Sequence, residues 1–136
     1  MSKNKHLAGN LFTNTPLTIR ETSLSARIAE YLTAQKIYHD RLNCGTVKTD
    51  NGNWLYLCKT GTPDRFAIVR GYIVFIEVKR LGEKPTPEQT ERHDELRKSG
   101  AIVLVVDSYE SFIKEFSAIN GNLNYFNQKE KKENAE

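Results

Sequence analysis

From Tyr72 to Val78 the chain reads Tyr-Ile-Val-Phe-Ile-Glu-Val, apolar at both alternating phases until Glu77. A strand apolar on both sides is one covered on both faces, the pattern of a central strand between layers. Ala101–Val106 (Ala-Ile-Val-Leu-Val-Val) predicts a second buried strand, and Phe66–Arg70 a strand turned onto the first at Gly71. Upstream, Tyr38–Lys48 and Trp54–Lys59 read as a hairpin across Asp50-Asn51-Gly52-Asn53, because Asn-Gly accepts the positive φ that a tight turn needs. Leu24, Ile28, Tyr31, Leu32 and Gln35 recur at helical spacing with Ser23 as N-cap. Two further helices are predicted at about Pro87–Ser99 and at Ser108–Ile119, the latter with Tyr109, Phe112, Ile113, Phe116 and Ile119 on one face. The order is helix, antiparallel strands, helix, strand, helix: an α/β fold with a mixed central sheet flanked by helices. It divides into an N-terminal arm (1–21), one folded domain (22–120) and a polar tail (121–136), disordered from Asn127.

Composition narrows this little. The 136 residues suit one domain with its own core, and a net charge of +3 does not by itself announce nucleic acid. Lys59, Arg65, Arg70, Lys79, Arg80 and Lys84 are expected to gather near Glu77, although scattered Lys and Arg ordinarily mean a solvated surface. Cys44 and Cys58 fall on the two hairpin strands and could approach each other, but are expected as reduced thiols, since nothing marks the chain for export. No Cys-x-x-Cys or closely spaced histidine pair suggests zinc. No apolar run approaches the ~20 residues of a membrane span. The expectation is a cytoplasmic protein of a bacterial or phage-infected cell.

The candidate chemistry lies in Gly61-Thr62-Pro63-Asp64-Arg65 and, thirteen residues after Asp64, Glu77-Val78-Lys79. In a strand Glu77 and Lys79 share a face while Val78 points back into the core. Ionised groups there are costly unless paired or holding a metal, and Asp64 can bring a second carboxylate to the same spot. Such a constellation suits a divalent-metal phosphodiesterase. Thr86-Pro87-Glu88-Gln89 reads as a capping box, yet the inward stripe of that helix, Gln89-His93-Leu96-Gly100, would turn Gln89 towards Glu77. Both readings of Gln89 stand. His93 reads as a buried or rim histidine, and Trp54 and Tyr56 as hairpin packing. Glu30 lies opposite the apolar stripe of its helix, ordinarily a solvated position, although Ala26, Ala34 and Ile37 beside it would permit close packing.

These residues resemble the VRR-NUC nucleases of the PD-(D/E)XK phosphodiesterase superfamily. The matching positions are Glu30, Arg41-Leu42-Asn43-x-Gly45, Gly61-Thr62-Pro63-Asp64, Ile76-Glu77-Val78-Lys79, Pro87-x-Gln89 and Gly100-Ala101, spread over Ser23–Phe116. The resemblance implies a restriction-endonuclease-like αβββαβ core and a metal-dependent endodeoxyribonuclease. Asp64, Glu77 and the Val78 carbonyl would hold Mg²⁺ or Mn²⁺, with Glu30 adding a carboxylate through water. Lys79 would orient or deprotonate the attacking water, and Gln89 would position water or phosphate. Lys59, Arg80 and Lys84 are candidates for DNA backbone contacts. Similar standalone members are homodimers acting on branched DNA, which implies a Holliday-junction-like substrate. A non-catalytic DNA-binding module of the same fold, a restriction-type enzyme and a structural protein are the competing readings.

Overall fold

The computed structural model describes residues 16–133 and 135, with side chains over 23–122 and at 135. The elements in chain order are α1 (Pro16–Ala34), β1 (His39–Arg41), β2 (Thr46–Lys48), β3 (Trp54–Tyr56), β4 (Arg65–Val69), β5 (Tyr72–Val78), α2 (Pro87–Lys98), β6 (Ile102–Val106) and α3 (Tyr109–Glu133). The main sheet has the order β1-β4-β5-β6, and β2-β3 forms a separate two-stranded sheet. β1 and β5 run antiparallel to β4, and α2 returns the chain so that β6 pairs parallel to β5. With the β2-β3 hairpin set aside, this is the αβββαβ core in a mixed sheet.

One face of the sheet carries the core. Ala67, Val69, Val74, Ile76, Val78, Leu104 and Val106 meet Leu24, Ile28 and Leu32 of α1 and Phe112 and Phe116 of α3. Each large side chain fully buried there stabilises the fold by about 1.5–3 kcal/mol. Tyr31 packs edge-on against both phenylalanines, and the Arg27 guanidinium covers the Tyr109 ring at 3.9 Å, joining α1 to α3. Alternation turns Phe75, Glu77 and Val103 to the opposite face, where α2 lies.

Four expectations need correction. The run Tyr38–Lys48 is two strands: β1 joins β4 in the main sheet, and only β2 forms the hairpin with β3. The break lies at Leu42, whose N–H donates to the Asp64 carbonyl at 2.6 Å, and the chain then leaves the sheet through residues 43–45. Cys44 and Cys58 are bonded to each other rather than reduced, their Cα atoms 4.8 Å apart across the hairpin base. α1 begins at Pro16, not after Ser23, and α3 runs on to Glu133, so the boundaries drawn at 21 and 120 fall inside helices. Of the arm, residues 1–15 lie outside the described residues. Arg70 sits with Gly71 in the positive-φ turn at the far end of the β4-β5 hairpin, about 17 Å along the strand from Glu77, and does not belong to the basic group near it.

Candidate active site

Glu77 is the centre. It stands near the C-terminal end of β5 and is 4% exposed, on the α2 face of the sheet. A carboxylate in that position needs compensation. Lys79, two residues on and 8% exposed, brings Nζ to 3.9 Å from Glu77 Oε1 and to 3.8 Å from Glu83 Oε1. Gln89 donates from Nε2 to Glu77 Oε1 at 3.2 Å. His93, one turn further along α2 and 2% exposed, places Nε2 3.8 Å from Glu77 Oε2, too long for a hydrogen bond. Burial pushes the His93 pKa below its ordinary value, with Arg97 and Lys79 adding to that against the opposing pull of Asp94. The same burial disfavours the charged imidazolium at this contact.

The two readings of Gln89 are both correct, because its amide has two ends. Thr86 Oγ1 accepts from the Gln89 backbone N–H, Gln89 Oε1 accepts from the Thr86 backbone N–H, and Pro87 occupies the first turn, so the capping box is complete. An oxygen facing a backbone donor leaves the NH₂ end for Glu77. The cap thus fixes the orientation of the residue that reaches the site.

Asp64 approaches from the neighbouring strand. Arg65 pairs with Ile76, so one further step of the antiparallel register places Asp64 opposite Glu77. Directly opposed residues share a face, about 4.5–5.5 Å apart at Cβ. The fully buried Pro63 anchors the approach, and Asp64 itself is exposed in a groove of ≈ 350 Å³ shared with Tyr56, Lys59, Gly61, Thr86 and Gln89. Gly61 fits this loop for two reasons. Its φ is +84°, and a Cβ there would lie 2.5 Å from the Glu88 carbonyl oxygen at the start of α2. Beneath the loop, Arg65 gives Nη1 to His39 Nδ1 at 2.8 Å, so His39 Nε2 carries the proton and meets Thr33 Oγ1 at 2.9 Å. Burial lowers the His39 pKa, Arg65 lowers it further, and Asp40 opposes them.

The structure brings together Asp64, Glu77, Lys79 and Gln89. Val78 sends its side chain into the core and pairs with Val106, leaving its carbonyl between Glu77 and Lys79 along the chain. Glu30 is exposed on α1, whose buried stripe faces the core side of the sheet. Among the described residues no three His, Cys, Asp or Glu side chains form a metal-holding group, so Glu30 does not join Asp64 and Glu77 in one. Lys59 lines the groove and pairs with Glu95 at 3.4 Å, while Arg80 and Lys84 are exposed on the loop after β5. His93 is the buried histidine the sequence suggested, and its place in the Gln89-His93-Leu96 stripe turns it towards Glu77. Arg92 was not singled out, yet it donates to the Thr60 carbonyl at 3.1 Å and bonds Glu95, tying α2 to the Asp64 loop.

A solved structure described as "VRR_NUC domain" is 30% identical to this chain, covers 72% of it and 95% of its own length, and superposes with a TM-score of 0.56. This chain belongs to the VRR-NUC nuclease domain family. A second structure, described as "VRR_NUC domain protein", is 28% identical over 45% of this chain and 53% of its own, with a TM-score of 0.40. A protein of Acyrthosiphon pisum secondary endosymbiont phage 1 named "Putative nuclease p44" is 45% identical over 53 residues. That match spans 38% of this chain and 57% of the phage protein, a little over half its length. No family model matches. No helix among the described residues of this VRR-NUC chain is long and apolar enough to cross a membrane.

Proposed function

We propose that this VRR-NUC chain is a divalent-metal-dependent DNA endonuclease that cuts branched DNA. The observation that carries the reading is a buried Glu77, held by Gln89 and Lys79, with Asp64 one step beyond the last β4-β5 ladder pair, Arg65–Ile76. Buried charge kept at a groove is costly for stability and reads as function. The donor set is entirely oxygen at the metal positions, which suits Mg²⁺ or Mn²⁺. Mg²⁺ usually keeps several waters and needs only one or two carboxylates, so Asp64, Glu77 and the Val78 carbonyl suffice as direct ligands without Glu30, which stands exposed on the helix that packs the core face. When bound, the ion supplies Lewis acidity towards the scissile phosphate and a more acidic water.

The chain's own groups do the remaining work. Gln89 fixes one oxygen of Glu77, and Lys79, beside the same oxygen, is placed to orient the attacking water or accept its proton. Lys59, Arg80 and Lys84 offer cations to the DNA backbone, giving affinity and salt dependence without reading sequence. Homodimerisation belongs to the same reading. Ile68 and Ile73, opposed in the β4-β5 ladder, leave apolar surface open that a second copy would cover, and two sites related by a two-fold axis could nick opposed strands of a junction. The setting is the cytoplasm of a bacterial or phage-infected cell. Cleavage of a labelled four-way junction, a flap and a linear duplex with Mg²⁺, Mn²⁺ or EDTA tests the reading. Metal-dependent, paired nicks in the junction are expected; no cutting of any DNA with either ion contradicts the enzyme.

A further inference from the structure

The β2-β3 hairpin presents its aromatic side chains to solvent. Trp54 is 61% and Tyr56 69% exposed, so neither packs the hairpin as the sequence suggested. Two residues apart on one strand, they share a face. Their cross-strand partners on that face are Lys48 and Thr46, and Lys48 Nζ lies 6.0 Å from the Trp54 ring centre. An isolated two-stranded hairpin is marginal in water, and this one is fastened at its base by the Cys44–Cys58 bond and by Leu57 N–H to the Gly45 carbonyl at 2.9 Å. The aromatic face is continuous with the site: Tyr56 lines the same groove as Asp64 and Gln89.

We propose that Trp54 and Tyr56 form a stacking platform for unpaired bases of the DNA strand leading into the active-site groove, with Lys48 on its phosphates. This rests on the nuclease reading above and names the substrate feature: a strand out of its duplex. The spacing supports it. Alternate strand residues are about 7 Å apart, twice the ~3.4 Å rise per nucleotide of stacked DNA. The rings therefore match bases drawn apart, not the stack of an intact duplex. Aromatic faces with a cation such as Lys48 beside them bind single strands with little regard to sequence. A lysine set beside the aromatic pair favours a polyanion over a second copy of this basic chain.

Trp54 is the single tryptophan of the chain, so its emission reports directly on the platform. The experiment titrates the full chain in EDTA with duplex bearing a flap of unpaired thymines and with the fully paired duplex of the same sequence. Trp54 emission should be quenched by the flap DNA and not by the duplex. Trp54→Ala should weaken flap binding about 10-fold and leave duplex binding and the melting midpoint unchanged, while Trp54→Phe keeps most of the affinity. Tyr56→Ala should act in the same direction. The platform is overturned by wild-type flap affinity in Trp54→Ala, by emission that does not move when gel shift shows saturation, or by a DNA-free dimer in which iodide fails to quench Trp54. Failure of the nuclease reading registers elsewhere, as absence of cleavage by wild type with Mg²⁺ or Mn²⁺.

Discussion

The two faces of the main sheet obey different rules. On the core face every side chain from Ala67 to Val106 that meets α1 and α3 is apolar, and Val74, Ile76, Phe112 and Phe116 are fully buried. On the other face stand Glu77 near the end of β5 and Lys79 just past it, both buried, with His93 and Gln89 from α2. Ile76 and Glu77 are adjacent in sequence and both buried, yet one is placed where desolvation stabilises and the other where it costs. A sheet face chosen for stability alone would not carry an ion pair held by a helix that has so few apolar residues. Packing made the first face; the second carries buried charge that packing tolerates.

That contrast predicts opposite outcomes for paired substitutions. The largest effect is expected at Glu77→Gln: cleavage falls by about 10³-fold, while the melting midpoint moves little because Lys79 keeps a second carboxylate, Glu83, at 3.8 Å. A lowered midpoint together with retained cleavage would reverse the roles of the two faces. Phe112→Ala should do the converse, costing about 3–5 kcal/mol of stability while the surviving folded fraction cuts normally; chemical denaturation and active-site titration separate the two. Gly61→Ala tests the joint between α2 and the Asp64 loop. With φ at +84° and the Glu88 carbonyl in the way, it should cost about 1–3 kcal/mol and slow cleavage by displacing Gln89. Equal stability and activity in this variant would show that the close approach is not needed.

The smallest effect is in pH. His39 and His93 both have folded pKa values below their ordinary one, so at acidic pH the unfolded chain binds more protons than the folded. Their contribution is complete above about pH 6.5 and is lost as pH falls from there through the depressed folded values. The melting midpoint should be lower at about pH 5.5 than at about pH 7.5, and His39→Gln should flatten part of that slope. A midpoint that rises on acidification would contradict the burial assigned to both histidines.

Much of this was legible in the chain because the signals are local. β4 and β5, the capping box at Thr86 and the α3 stripe from Tyr109 to Ile119 follow from alternation, one turn chemistry and helical spacing. The carboxylate of Glu77 declared itself by interrupting an apolar strand, and the Gln89-His93 stripe pointed to the same place. The parts that were not legible depend on what lies across space. Nothing in Tyr38–Lys48 says that its first half pairs with β4 and its second with β3. The cysteine bond depends on the hairpin register, the exposure of Trp54 and Tyr56 on the absence of a covering layer among the described residues, and the setting of Glu30 on which side of the sheet α1 covers. Periodicity reports which residues share a face, and not what that face meets.

The most direct test of the central claim, that the Glu77 end of the polar face is a metal-dependent phosphodiesterase site, is single-turnover cleavage of a labelled four-way junction by wild type and Lys79→Ala, with Mg²⁺ or Mn²⁺ and again in EDTA. The account predicts cutting by wild type only with metal, none by Lys79→Ala under any condition, and equal junction affinity for the two proteins in EDTA. Cutting by Lys79→Ala at the wild-type rate, or by wild type in EDTA, would contradict it.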